Sequence, residues 1–194
     1  MKSKLSRKPV AHNKAIRRWL KCVSGSGVDA MYSDVSKHWG FKWYMCQGKC
    51  TQTYTVQYMA AEQDCGPKVG PLVKFYIKER PRYGYLTQRA TSLSKVFKTW
   101  NVDWYFDTDG YEGKCQQLAD MGCPNFWKFA ASCGFEVRDM HMGNIGYLTT
   151  TGRGVVIDFG HWYETNACDR YKVLYRKFEE SYQDGGVVKP PKWF

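Results

Sequence analysis

No stretch of this chain approaches the roughly 20 consecutive apolar residues that a bilayer-spanning helix needs, so a membrane protein of that kind is not expected. Its start, Met1-Lys2-Ser3-Lys4-Leu5-Ser6-Arg7-Lys8-Pro9, is basic but has no apolar run behind it; no secretory signal is expected, and a soluble cytoplasmic protein is the default. Internal repeats and low-complexity linkers are also lacking, which excludes solenoids and disordered tethers. Acidic side chains are scarce: 18 Asp and Glu stand against 29 Lys and Arg, a formal charge of +11. That imbalance favours acidic partners such as nucleic acid, ribonucleoprotein, acidic protein surfaces or nucleotide phosphates. The basic residues are scattered, with a modest cluster at the N-terminus and no stacked-aromatic motif, so direct nucleic-acid binding is possible but not favoured.

Zinc-knuckle spacing is missing too. The eight cysteines are Cys22, Cys46, Cys50, Cys65, Cys115, Cys123, Cys133 and Cys168, and the nearest approach to C-x-x-C is Cys46-Gln47-Gly48-Lys49-Cys50. Without a secretion signal, free thiols packed as small hydrophobes are expected rather than disulfides. The 194 residues make one domain, or two small lobes sharing a cleft, with ample apolar and aromatic content for a packed core.

What is present is concentrated between Val137 and Gly160. Val137-Arg138-Asp139-Met140-His141-Met142-Gly143-Asn144-Ile145-Gly146 is followed by a Gly-bearing turn at Thr151-Gly152-Arg153-Gly154, then by Val155-Val156-Ile157-Asp158-Phe159-Gly160. The β-branched run reads as a buried strand, so two neighbouring backbone segments carry an Asp, an Asn and a second Asp. Phosphoryl transfer from a nucleotide needs that set: one carboxylate to meet the attacking hydroxyl, an amide and a carboxylate to hold Mg²⁺.

Arg138-Asp139 followed by Asn144 resembles the catalytic loop of protein kinases, and Asp158-Phe159-Gly160 resembles their metal-binding motif. Val137 stands where the usual pattern has His, and His141 stands where most of these enzymes carry Lys. That form is similar to kinase-like phosphotransferases of small molecules and to the small early serine/threonine kinases of lytic bacteriophages. The resemblance covers about residues 23 to 160. It implies an α+β, two-lobed protein-kinase-like fold with a β-rich N-lobe over 23–90 and a shortened helical C-lobe over 91–194, preceded by a basic extension over 1–22.

The resemblance also implies roles. Asp139 takes the proton of the attacking hydroxyl. His141 assists near the γ-phosphate or stiffens the loop by a hydrogen bond, and Arg138 braces it. Asn144 and Asp158 hold Mg²⁺, and the turn at Gly25-Ser26-Gly27 covers the phosphates of ATP. Lys42, set in the apolar strand Trp39–Met45, must point to solvent or meet an anion; the resemblance makes it the lysine on the α and β phosphates, with Lys49 as the fallback. A hinge at about Leu86, Thr87 and Arg89 would meet the adenine ring.

Along the chain, short helices are expected over 14–21 and 92–100, and a longer one over Thr51–Gln63 with Tyr54, Val56, Met59 and Ala60 inward. Strands are expected over Val69–Ile77 and Tyr83–Gln88, turning at Glu79-Arg80-Pro81-Arg82. An exposed loop over 101–113, helices over 111–119 and Asn125–Cys133, a charged helix over Asp169–Tyr182 and an extended tail from Asp184 complete the pattern. The helix over Thr51–Gln63 lacks the glutamate that pairs with the lysine in kinases, so a Lys42–Gln57 contact or a pair rebuilt from elsewhere is expected. Thr165 is a candidate phosphosite read by Arg138. The function this resemblance implies is a phage-type serine/threonine protein kinase acting on host proteins such as those of transcription and translation. A small-molecule phosphotransferase and a non-catalytic binding protein on a kinase scaffold stay open beside it.

Overall fold

The computed structural model describes residues 16, 20, 23–26, 30–77, 79–96, 119–124, 126–140 and 143–184. Apart from residues 16 and 20, the helix expected over 14–21 lies outside them, as do 97–100 of that over 92–100, the loop over 101–113, nearly all of the helix over 111–119, the tail beyond Asp184, Gly27 and His141. The chain is a mixed α+β structure built mainly on antiparallel sheets.

The first sheet has six strands in the order β1-β2-β3-β5-β4-β11: Val23–Ser26, Ala30–Asp34, Trp39–Tyr44, Arg80–Gln88, Val69–Ile77 and Gln183–Asp184. All its pairings are antiparallel except that of β11 with β4. Strand β3 is buried along its whole length because both faces are covered. The period-2 alternation sends Phe41 and Trp43 into a cluster with Ile16, Val73, Phe75 and Leu86, and sends Tyr44 to the other face with Cys50, Tyr54, Leu72, Tyr85 and Phe178. Strand β5 begins at Arg80, three residues before the sequence suggests, although Pro81 lies within it. The pairing with β3 ends at Tyr83, so Pro81 has only β4 as a neighbour and its missing N–H interrupts no second ladder.

Helix α1, Gln47–Glu62, starts four residues before the expected Thr51, in the Gly48 stretch that reads as a turn. Tertiary contacts fix that first turn: Gln47 donates to the Glu179 carbonyl at 3.0 Å and Lys49 to the Gly160 carbonyl at 2.6 Å. Tyr54, Val56, Met59 and Ala60 are all buried, as expected, but so are Thr51, Thr53, Thr55 and Gln57. Thr51 and Thr55 satisfy their hydroxyls on the helix's own carbonyls four residues back, at 3.0 and 2.7 Å.

After β6 (Ala90–Ser92) and the single turn α2 (Leu93–Val96) come α3 (Phe126–Cys133), β7 (Phe135–Val137), β8 (Ile145–Leu148), β9 (Gly154–Val156) and β10 (Trp162–Glu164). Strands β6, β8 and β9 form one small sheet, β7 and β10 a two-stranded ribbon. Gly134 ends α3 at φ 74°, and a Cβ there would run into the Asn166 carbonyl. A second core joins Val56, Met59 and Ala60 of α1 to Phe126, Phe129, Phe135, Ile145, Val156, Phe159 and Trp162. Cys50, Cys65, Cys123 and Cys133 are buried free thiols.

Helix α4, Asp169–Glu179, runs antiparallel to α1: Arg170 meets Glu62 at 2.7 Å at one end, and Glu179 meets Gln47 at the other. It stops three residues short of the expected Tyr182, because the chain turns there to reach the sheet edge as β11. Phe178 anchors this arrangement edge-on to Tyr54 and Tyr58, with ring centroids at 4.9 and 5.1 Å. Phe178→Ala is expected to lower the unfolding free energy by about 3–5 kcal/mol, read as a fall in the urea midpoint.

Candidate active site

The site begins with the register of the first sheet. Tyr32 pairs with Lys42 and Lys42 with Tyr85, so three adjacent strands place the lysine between two phenols on the face that also carries Gly40 and Tyr44. Gly40 leaves room for the Tyr32 ring; a Cβ there would run into it. Burial, together with the Asp34 carboxylate, pushes the Tyr32 phenol up to about 12, so it is neutral beside the lysine. Gly25 pairs with Tyr32 in turn, which sets the described part of the Gly-rich turn, Gly25 and Ser26, two strands from Lys42, or roughly 10 Å.

Lys42 meets an anion, as its apolar setting requires. Its Nζ lies 2.8 Å from Asp158 Oδ1, across 116 residues of chain. The lysine side chain is 9% exposed and the aspartate 38%, so the carboxylate keeps an open side. Burial, the largest single influence, would pull the Lys42 pKa down, but the charge and hydrogen bond of Asp158 together with the Tyr85 and Tyr32 phenols outweigh it and the net direction is up. Burial would raise Asp158; the charge and hydrogen bond of Lys42, with the Gly160 N–H at 3.0 Å, reverse that and hold it below the usual range.

Helix α1 fastens the segment that follows. Lys49, the fallback for the phosphate lysine, instead holds the Gly160 carbonyl, and Gln52 donates to the Trp162 carbonyl at 3.2 Å. Phe159 is buried against Gly66 and Trp162. The Lys42–Gln57 contact is corrected: Gln57 donates to Thr87 Oγ1 at 2.7 Å and the Pro67 carbonyl at 3.0 Å, and accepts from Tyr85 at 2.9 Å. Glu62 pairs at the surface with Arg170. The lysine's carboxylate partner is thus rebuilt from Asp158.

Asp139 follows β7 with a left-handed backbone, φ 59°, a conformation that costs a non-glycine residue about 1–3 kcal/mol. The Asn144 amide holds it there, donating to the Asp139 carbonyl at 2.7 Å and to Oδ2 at 3.3 Å, while buried Met140 ties the loop to the core. The Asn144 carbonyl accepts the Ile157 N–H at 2.8 Å, extending the β8–β9 ladder so that Asn144 and Asp158 leave it at the same end. Among the described residues no cluster of three or more His, Cys, Asp or Glu could hold a metal. An amide oxygen and a partly open carboxylate still fit Mg²⁺, which takes one or two carboxylates and completes its shell with water and phosphate.

Arg138 braces its surroundings: it bonds Glu136 through two nitrogens at 2.8 and 2.9 Å and lies over the Tyr163 ring at 5.1 Å. The Thr165 hydroxyl donates to the Gly134 carbonyl at 3.0 Å. At the expected hinge, Leu86 turns to the opposite face among Phe41 and Trp43, Thr87 sits between β3 and β4, and the Arg89 N–H and C=O bond to His38 and Thr149. A base meeting the backbone at 86–89 would have to exchange those bonds. Sequence reasoning missed Tyr32 and His161; the latter has Nε2 3.8 Å from Asp139 Oδ2. Its signal was position alone, three residues after Asp158.

In comparisons with known proteins, no family model matches the chain and no curated protein matches its sequence.

The pair predicts an asymmetry. Asp158→Asn strands an enclosed ammonium and is expected to cost about 3–5 kcal/mol, whereas Lys42→Met leaves a carboxylate with access to water and costs less, as measured by urea unfolding at pH 7. For the pH dependence, Asp158's contribution is complete above its unfolded value near 4 and is lost as pH falls through its lower folded value. Lys42's is complete below its unfolded value near 10.4 and is lost as pH rises through its higher folded value. Stability from this pair is therefore flat between about pH 5 and 9 and declines at both extremes.

Proposed function

We propose that the chain is an ATP-dependent phosphotransferase with a two-lobed protein-kinase-like architecture, acting on serine or threonine hydroxyls of proteins. The observation that carries this reading is the convergence of Lys42 on Asp158 beside an Asp139 locked by Asn144. Four residues from three stretches of chain supply the groups that phosphoryl transfer requires: a cation for phosphate, a carboxylate for the acceptor, and two oxygen donors for a metal. The register that sets Gly25 two strands from Lys42 adds a backbone turn within reach of the same phosphates.

In this mechanism Lys42 grips the α and β phosphates of ATP, and its enclosure strengthens each charge interaction it makes. Asn144 and Asp158 are the residues that would hold Mg²⁺, which neutralises charge developing on the transferred group. Asp139, fixed by Asn144 in its left-handed turn, orients the acceptor hydroxyl and takes its proton. Arg138, engaged by Glu136 and Tyr163, steadies the strand from which Asp139 leaves. Positioning and charge stabilisation supply most of the acceleration. Proteins of a host cell's transcription or translation machinery are the substrates proposed, on the likeness to phage kinases.

A second reading, a binding protein on the same scaffold, draws on the engaged backbone at Arg89. The two part on nucleotide. ATP with Mg²⁺ at a hundred times its dissociation constant is expected to stabilise the chain by about 2.7 kcal/mol, or roughly 5–10 °C in Tm. Labelled ATP and a cell extract are expected to give labelled protein bands, with Asp139→Asn lowering transfer by about 10²–10⁴-fold at unchanged nucleotide affinity. Label confined to small metabolites would indicate a small-molecule kinase, and an Asp139→Asn protein of full biological activity would favour the binding role.

A further inference from the structure

The β7–β10 ribbon carries a chain of polar contacts that runs on from Arg138 to His161, a residue that phosphoryl transfer as described above does not use. Trp162 pairs with Val137 and Tyr163 with Glu136, and the Arg138 N–H donates to the His161 carbonyl at 3.1 Å. This register brings the residue that leaves β7, Asp139, beside the residue that enters β10, His161. The imidazole is held from behind: its Nδ1 is 3.2 Å from the Tyr163 hydroxyl, and the Tyr163 ring lies under the Arg138 guanidinium, itself fixed by Glu136. Its other nitrogen, Nε2, faces Asp139 Oδ2 at 3.8 Å.

We propose that His161 is a positioning residue for Asp139, an inference that rests on the phosphotransferase reading. With the Tyr163 hydroxyl donating to Nδ1, the ring proton resides on Nε2, the nitrogen aimed at the carboxylate. Asn144 and His161 then both address Oδ2, the amide at 3.3 Å and the imidazole just beyond hydrogen-bond length, so together they set the rotation of the carboxylate. Such contacts are commonly long in a ligand-free enzyme and shorten in the reacting complex. Asp139 sits on a strained backbone, the situation in which a further contact to its carboxylate matters. The relay Glu136–Arg138–Tyr163–His161 transmits the stiffness of the ribbon to that one oxygen.

The test uses the full chain with γ-labelled ATP and Mg²⁺, following transfer to its own hydroxyls and to water. His161→Ala is expected to lower kcat on the order of 10–100-fold with the nucleotide KM and Tm unchanged. His161→Gln, whose amide can reach the same oxygen, is expected to recover part of the loss. Tyr163→Phe is expected to cost less, and to convert the His161 ring from a single Nε2–H tautomer to a mixture in nitrogen-15 NMR spectra. An unchanged kcat in His161→Ala, or a loss that tracks Tm and nucleotide affinity and is not recovered by glutamine, overturns the role while leaving the phosphotransferase reading intact. A wild-type chain that transfers nothing overturns the reading itself, and the role falls with it.

Discussion

The Lys42–Asp158 ion pair is the contact on which the arrangement of this molecule depends. A lysine in the middle of a fully buried strand has no route to water, so it must be met by an anion or lose its charge. That requirement pulls the segment after β9 against the first sheet, and everything attached to the segment follows. Asp158 brings Gly160 within reach of Lys49, Trp162 within reach of Gln52, and Phe159 into the core beneath α1. The three-stranded sheet and the ribbon are therefore tied to β3 by this ion pair as well as by apolar packing.

Helix α1 is the middle layer of this arrangement, which explains its composition. It faces the sheet through Cys50 and Tyr54, the second core through Val56, Met59 and Ala60, and α4 along its remaining length. The helix has no polar face: Thr51 and Thr55 satisfy their hydroxyls on carbonyls within the helix, and Gln57 bonds Thr87, Tyr85 and the Pro67 carbonyl. Gln57 in particular ties α1 to Tyr85 and Thr87. Helix and strand move together, a rigidity suited to holding Lys42 at a fixed distance from its partner.

Much of this was legible in the sequence, and the boundary is physical. β3 and the need of Lys42 for an anion or solvent were legible because a charged residue in an apolar run admits few interpretations. The Asp139–Asn144 loop was legible because its partners lie within one turn of chain. Whether Gln57 or a residue from elsewhere partners Lys42 stayed open, since helix phase gives the face of a residue but not which of two neighbours claims its amide. The first turn of α1 was missed because Gln47 and Lys49 are held by residues more than a hundred positions away. His161 and Tyr163 could not be read at all: their meaning depends on a strand register, and a shift of one residue would send both to the other face. β11, two residues long with no alternating pattern, is visible only through the edge it covers.

That edge strand has a consequence for how the chain is made. Gln183 and Asp184 pair with Val73 and Lys74, and α4 seals α1, yet the strands they complete are synthesised more than a hundred residues earlier. While the ribosome is still making the middle of the chain, the β4 edge and the flank of α1 that receives Phe178 are bare. Strand edges and apolar flanks of that kind are where nascent proteins associate wrongly. The helix α4 and strand β11 act as a fastener that covers this surface only once the end of the described chain has emerged.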